Sequence, residues 1–247
     1  MLERRRVESV KVLALDREAM RNALDLALAR ELAAAIVEAA ADSDVGALLL
    51  AGNGAGFCSG SDVKEMARAS VEERIAVARE KGALVRAIAD CPKPVVAAVQ
   101  GFALGGGFML AAACDYVVTT HDARWRLPEV GLGFFPPWGI DGLVARVGVA
   151  RARALVFGHE TLDGRRAVEF GVADLCVEPG HINEEALRTA QHLSSLPGQP
   201  VLTAKRFFAP LAYAGALDER AIEAYRMNME AGAADASFSK WTKTRPE

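Results

Sequence analysis

The spacing of apolar residues changes several times along the chain. Residues 7–15 are aliphatic and β-branched with partial alternation, which predicts a strand. Residues 16–21 read as a turn. Asn22 can cap a helix over 23–40, where Leu24, Leu28, Leu32 and Ile36 recur every four positions. Residues 45–51 are a short apolar run between polar and glycine residues, as in a buried parallel strand. A loop over 52–61 follows with four glycines, and Ser61 or Asp62 can cap the helical turn after it. A longer helix is expected over 71–89, closed by Pro92 and Pro94, and then a strand over 95–99. Gly105-Gly106-Gly107 joins that strand to a small-residue helix ending near Cys114. Strands are expected at 116–120 and 124–127, and an irregular loop rich in Gly, Pro and aromatics at 128–139. Short helices come near 140–147 and 150–157. Asp163 caps a further helix that Gly171 closes, and 172–177 is the last strand.

From residue 184 onward no strand signal remains. Helices are expected at about 184–195, 200–215 and 218–233, with Pro197 and Pro200 separating the first two. Strand–helix alternation followed by helices alone predicts an α/β core over 1–183 and a helical region over 184–247. Phe207, Phe208, Leu211, Tyr213 and Tyr225 make that region apolar enough to dock on another surface, such as a neighbouring subunit. Folding back onto its own core is the alternative.

Composition narrows the function classes. A chain of 247 residues that is 51% hydrophobic can build a large core. Net charge is −3 and no long basic run occurs, so nucleic-acid binding has no support; Arg4-Arg5-Arg6 is expected to be a solvated N-terminal arm. Cys58, Cys91, Cys114 and Cys176 are scattered, with no zinc-ligand spacing, and suit a reducing compartment. Residues 1–12 lack an apolar signal core, and Glu3 and Glu8 fit a transit peptide poorly, so a cytoplasmic location is expected. The apolar stretch 95–118 is broken by the glycine turn, Gln100 and Asp115. It reads as a buried strand, turn and helix, not as a membrane span.

The loops 52–61 and 101–107 share one design: each leaves a strand and ends at a helix start. Each can present a backbone N–H, at Ser61 and at Gly106. Two such donors converging on one carbonyl oxygen would stabilise an enolate or oxyanion. The same spacing also fits any tight strand-to-helix turn. Neither loop matches a phosphate-binding motif, and no GxSxG elbow exists to activate Ser59 or Ser61. His121, His159, His181 and His192 fit no metal or triad spacing. Asp62 and Asp115 read as structural, and Asp141 as a solvated helix-start residue or an auxiliary acid.

Residues 55–66, AGFCSGSDVKEM, resemble the first acyl-CoA-binding motif of the crotonase (enoyl-CoA hydratase/isomerase) superfamily. Residues 92–107, PKPVVAAVQGFALGGG, resemble its second, and Leu127-Pro128-Glu129-Val130-Gly131-Leu132-Gly133 its third, which carries a catalytic carboxylate. The motifs occur in order, and weaker similarity runs from about residue 10 to 177. The resemblance implies a spiral of ββα units with a helical C-terminal trimerisation region, assembled as a homotrimer or hexamer. It implies a thioester carbonyl held between the N–H groups of Ser61 and Gly106. It places CoA along the first loop (Ser59, Ser61, Asp62, Val63) and near Arg21 and Ala23, with Met109 and Trp138 at the substrate. CoA enters as part of the substrate; no metal or redox cofactor and no membrane partner are implied. Lys240 and Lys243 could reach a CoA phosphate across a subunit boundary, though a solvated tail is the simpler reading.

Glu129 is the implied proton-transfer group. Its neighbours Leu127, Val130, Leu132, Phe134, Phe135 and Trp138 are apolar, and such a setting raises a carboxylate pKa toward neutrality. Hydratases of the two-carboxylate type carry a second Glu where this chain has Met109. Its absence leans the reading toward Δ3–Δ2 enoyl-CoA isomerisation over single-carboxylate hydration. Decarboxylation, lyase chemistry and non-catalytic acyl-CoA binding stay as alternatives.

Overall fold

A computed structural model describes residues 1–212, 216–232 and 234–242; Tyr213 and Lys243 lie outside the described residues. The strands are β1 (Leu2–Val7), β2 (Val10–Leu15), β3 (Ala47–Gly52), β4 (Val95–Val99), β5 (Phe102–Leu104), β6 (Tyr116–Thr120), β7 (Arg124–Arg126) and β8 (Leu175–Val177). Six of them form one sheet in the order β1-β2-β3-β4-β6-β8, and β5 pairs with β7 in a second. Within the large sheet only the β1–β2 pairing is antiparallel.

The strand predicted at 7–15 is thus the second arm of a hairpin. Glu8 takes a left-handed φ of 52°, and Leu2 pairs with Leu15. Arg4-Arg5-Arg6 is solvent-exposed as expected, but it forms an edge strand instead of a free arm. Arg4 lies 3.1 Å from Glu38 and Arg6 3.2 Å from Asp44, so these charges blunt the open sheet edge.

The sheet is covered on both faces, which explains why β3 and β4 read as continuous apolar runs. Val95, Ala97 and Val99 belong to the core built by α1 (Leu26–Ala41), α3 (Val71–Asp90) and α4 (Gly106–Ala112). Val96 and Ala98, one pleat out of step, pack with Ile182, Ala186 and Ala190 of α7 (Ile182–Ser194). The helical region expected from residue 184 therefore begins with a helix that closes the back of the sheet.

The first helix does not begin at Asn22. Asp25 caps it, its side chain accepting from the Leu28 N–H at 2.8 Å. Asn22 adopts φ 55° and buries its amide, donating to the carbonyls of Asn53 and Gly56 at 2.9 Å each. It satisfies the first glycine loop instead of a helix end. Next come α2 (Val63–Arg68) and, past the second sheet, α5 (Ile140–Val156), whose helical geometry breaks at Gly148 (φ 75°, ψ 162°). Asp163 and Gly171 bound α6 (Gly164–Phe170) as expected.

In the C-terminal region, α8 (Gly198–Ala212) takes Pro200 into its first turn, where a missing N–H costs little. α9 (Ala216–Glu230) and α10 (Asp235–Thr242), the latter not anticipated, fold back on the core. Arg79 and Arg86 of α3 pair with Glu219 and Asp218, and Tyr225, Met229 and Phe238 are buried. Phe207 and Phe208 on α8 stay 69% and 60% exposed, so the region divides between self-packing and an open aromatic face.

Candidate active site

Two successive strand–strand–helix units build the site. In the first, β3 leads to Phe57–Cys58 and then α2; in the second, β4 leads to β5 and then α4. Cys58 and Ala103 form a parallel bridge, fixed by Cys58 N–H to the Phe102 carbonyl (3.2 Å) and Leu104 N–H to the Cys58 carbonyl (3.0 Å). Ser61 and Gly106 each lie three residues beyond that bridge. Register therefore delivers both to the same place.

The approach of the two loops is close. A carbon added at Gly106 would lie 3.4 Å from Ser61 N, and one at Gly60 would lie 3.3 Å from Gly106 N. The described hydrogen bonds leave both N–H groups uncommitted. The bridge beside Ser61 is carried by Leu24 N–H and Asp62 N–H. Gly106 opens α4, where first-turn N–H groups have no partner in the helix. Two free donors side by side, one at the positive end of a buried helix, suit a developing oxyanion.

Ser59, Ser61, Val63, Gly106, Met109, Glu129 and Trp138 line one cavity of about 110 Å³. Trp138 is buried, and its ring reaches Gly106: an added carbon there would meet Cζ2 at 2.8 Å. Met109 is 1% exposed, beside Gly139. It puts an apolar surface where two-carboxylate hydratases place their second Glu. Asp62 caps α2, accepting from Lys64 N–H (3.1 Å) and Glu65 N–H (3.3 Å), and is held by Arg17 at 3.4 Å. Arg21 and Ala23 do not line the cavity. Their turn lies against its rim, where the Arg21 carbonyl accepts from Ser59 N–H at 3.1 Å and the guanidinium covers Phe102 at 4.4 Å.

Glu129 precedes a single 3-10 turn, Val130–Leu132. The residue is half-buried, yet its Oε2 is sealed from solvent and makes no hydrogen bond. Its Oε1 lies against Gly105, where an added carbon would sit 2.6 Å away. Burial pushes its pKa up to about 7, opposed only by its own backbone N–H. At neutral pH the group is then populated both as base and as acid.

Asp141 is not a solvated helix-start residue: it is 4% exposed and accepts from Gly142 N–H at 2.9 Å. Burial raises its pKa to about 6, but it does not line the cavity. Asp115 is structural, accepting from Val95 N–H and pairing with Lys205 at 2.6 Å. Among the described residues no group of three or more His, Cys, Asp or Glu is placed to hold a metal, and no helix is long and apolar enough to cross a membrane.

Met66, Ala78, Lys81 and Phe238, which sequence does not mark as site residues, also line the cavity, as does Tyr225, which sequence reads only as part of an apolar docking face. One signal was present: Lys81 interrupts the apolar face of α3 set by Val77, Ala78, Gly82 and Val85.

Known proteins share this fold. The family model described as enoyl-CoA hydratase/isomerase matches residues 5–239. A probable enoyl-CoA hydratase of Rhizobium meliloti is 36% identical over 197 residues, 79% of this chain and 76% of that protein. A short-chain-enoyl-CoA hydratase of Clostridium acetobutylicum is 34% identical over 188 residues, 75% and 72% of the two chains. The crystal structure of an enoyl-CoA hydratase/isomerase from Xanthobacter autotrophicus Py2 superposes with a TM-score of 0.88 at 31% identity, covering 96% of this chain and 91% of that one. With fold, paired loops and buried glutamate all in place, the chain belongs to the enoyl-CoA hydratase/isomerase family.

Proposed function

We propose that the protein moves the double bond of an enoyl-CoA thioester from C3=C4 to C2=C3. The observation that carries this reading is that Glu129 is the one carboxylate lining the cavity among the described residues, with a pKa raised to about 7. The thioester oxygen accepts from Ser61 N–H and Gly106 N–H. Glu129 as carboxylate takes a proton from C2, and the electron pair delocalises into a dienolate whose charge rests on that oxygen. Glu129, now protonated, delivers the proton to C4, and the enzyme returns to its starting state. One group suffices because the proton lost and the proton gained pass through the same carboxyl. CoA lies along the Ser59–Val63 loop and the Arg21–Ala23 turn. The Ser59–Arg21 hydrogen bond that holds these two together supports this placement.

The names of the relatives favour a second reading, hydration across C2=C3 with Glu129 as the only acid/base. Met109 argues against it, because a single carboxyl must then both activate water and protonate C2.

A panel of 3-enoyl-, 2-enoyl- and malonyl-type thioesters in D2O separates the reactions. Isomerisation leaves the composition unchanged apart from deuterium at C2 or C4, hydration adds one water, and decarboxylation loses carbon dioxide. Glu129→Gln is expected to abolish turnover while retaining affinity for a saturated acyl-CoA. Exclusive hydration, or an active Glu129→Gln variant, would defeat the proposal. Binding without any turnover would leave an acyl-CoA-binding protein.

A further inference from the structure

The cavity is also lined by polar groups that the reaction above does not use. Tyr225 of α9 is 1% exposed, lines the cavity, and its hydroxyl makes no hydrogen bond. A buried tyrosine hydroxyl ordinarily finds a partner, and phenylalanine would fill the same space without leaving one unmet. Lys81 of α3 is likewise 1% exposed, lines the same cavity, and its Nζ makes no hydrogen bond. Most of the remaining lining is apolar: Val63, Met66, Val77, Ala78 and Phe238.

Charge decides what these donors await. The Lys81 ammonium already faces Glu65 at 3.9 Å, and Asp25 and Asp62 lie in its field. Arg17, paired with both aspartates at 3.0 and 3.4 Å, is the other cation of this group. Three acids against two bases leave no positive excess to receive another anion. Unmet hydrogen bonding remains, with Lys81 able only to donate and Tyr225 able to donate or accept.

We propose that Tyr225 and Lys81 select an acyl chain bearing a neutral oxygen, a hydroxyl or keto group, beyond the carbons that react. The proposal rests on the acyl-CoA reading of the cavity. It names a substrate class within it: oxygenated enoyl thioesters in place of plain alkyl ones.

The test compares kcat/KM for enoyl-CoA thioesters of equal length ending in methyl, hydroxyl, keto or carboxylate groups. The wild-type protein is measured beside Tyr225→Phe and Lys81→Met. The hydroxyl or keto chain is expected to exceed the methyl chain by about tenfold or more. Tyr225→Phe should bring that ratio close to one and Lys81→Met should lower it. The urea midpoint of Tyr225→Phe should stay at or above that of the wild type, since no hydrogen bond is lost. Equal use of the methyl chain, a preference that survives both variants, or a preference for the carboxylate overturns the proposal. Calorimetric binding of the saturated thioesters reads the same ratio without turnover. Selective binding with no reaction would therefore sink the isomerase reading and leave this one standing, whereas turnover without selectivity would do the reverse.

Discussion

Glu129 should make the folded protein less stable as pH rises, and replacing it should reverse this. The group titrates near pH 4.5 when solvated and at about 7 in the native site, because burial disfavours its charged form. Its folded pKa is thus above its unfolded one. Below pH 4.5 both states hold the proton and the term vanishes. Between 4.5 and 7 the unfolded chain releases the proton while the native site keeps it, so stability falls. Above pH 7 the native carboxyl ionises at full cost. Each unit of displacement is worth about 1.4 kcal/mol, so 2.5 units give at most about 3.5 kcal/mol, of which about 2.5 accrues between pH 5 and 8. Water entering the cavity lowers these figures by screening. The glutamine of the Glu129→Gln variant has no proton to release, and the cost of burying its amide is the same at both pH values. Urea unfolding of wild type and Glu129→Gln at pH 5 and 8, at one protein concentration, isolates the effect. The difference between the two proteins should move by about 2 kcal/mol in favour of Glu129→Gln at the higher pH. A pH-independent difference, or one moving the other way, would refute a buried, charge-averse Glu129.

Gly106→Ala places a carbon 2.8 Å from Trp138 Cζ2 and 3.4 Å from Ser61 N, so it should cut kcat by about a hundredfold or more through loss of the oxyanion geometry; circular dichroism should still show the folded protein, and near-normal kcat would remove Gly106 from the site. Met109→Glu puts a second carboxyl into the cavity and should raise hydration relative to isomerisation in the product analysis, at a cost in thermal stability from burying a charge; an unchanged product ratio would show that Met109 does not choose the reaction. Phe207 and Phe208, stacked edge to face at 5.1 Å and exposed, favour self-association through α8. Phe207→Ser with Phe208→Ser should therefore lower the mass measured by light scattering, and an unchanged mass would show that α8 carries no subunit contact.

Sequence periodicity locates the strands and helices that are buried on a regular face. Residues 95–99 read with correct ends because each is apolar and the run is bounded by Pro94 and Gln100. Periodicity fails where side chains act at a distance. Asn22 looks like a helix cap, but its left-handed backbone turns the amide toward carbonyls some thirty residues away. The strand at Phe102–Leu104 hides inside the glycine turn, since its partners, Arg124–Arg126 and Cys58, are supplied by neighbouring units. In the site, Ser61, Gly106, Met109 and Glu129 are legible from motif order and Trp138 from the aromatic loop that follows the third motif, and all five line one cavity. Lys81 and Tyr225 are not, because no local pattern tells α9 that it will close a cavity begun by α2 and α3. Only a lysine on an apolar helix face hints at it.

The glycine run is best understood as three separate requirements. Gly105 has φ 52° and ψ −120°, a backbone region closed to other residues, and a carbon on it would displace the Glu129 carboxyl from 2.6 Å away. Gly106 leaves room for Trp138 and for the approach of Ser61 N. Gly107 lets α4 lie on the first loop, where an added carbon would fall 2.3 Å from the Cys58 carbonyl oxygen. On the proposed mechanism the first position thus seats the base and the second forms the oxyanion donors, while the third joins the two units that carry them. A substitution at each would damage proton transfer, carbonyl activation and assembly of the fold respectively. The run therefore couples the chemistry to the repeat that builds it: Ser61 and Gly106 converge because both stand at the same step past a paired strand, and Glu129 reaches them from the unit that follows.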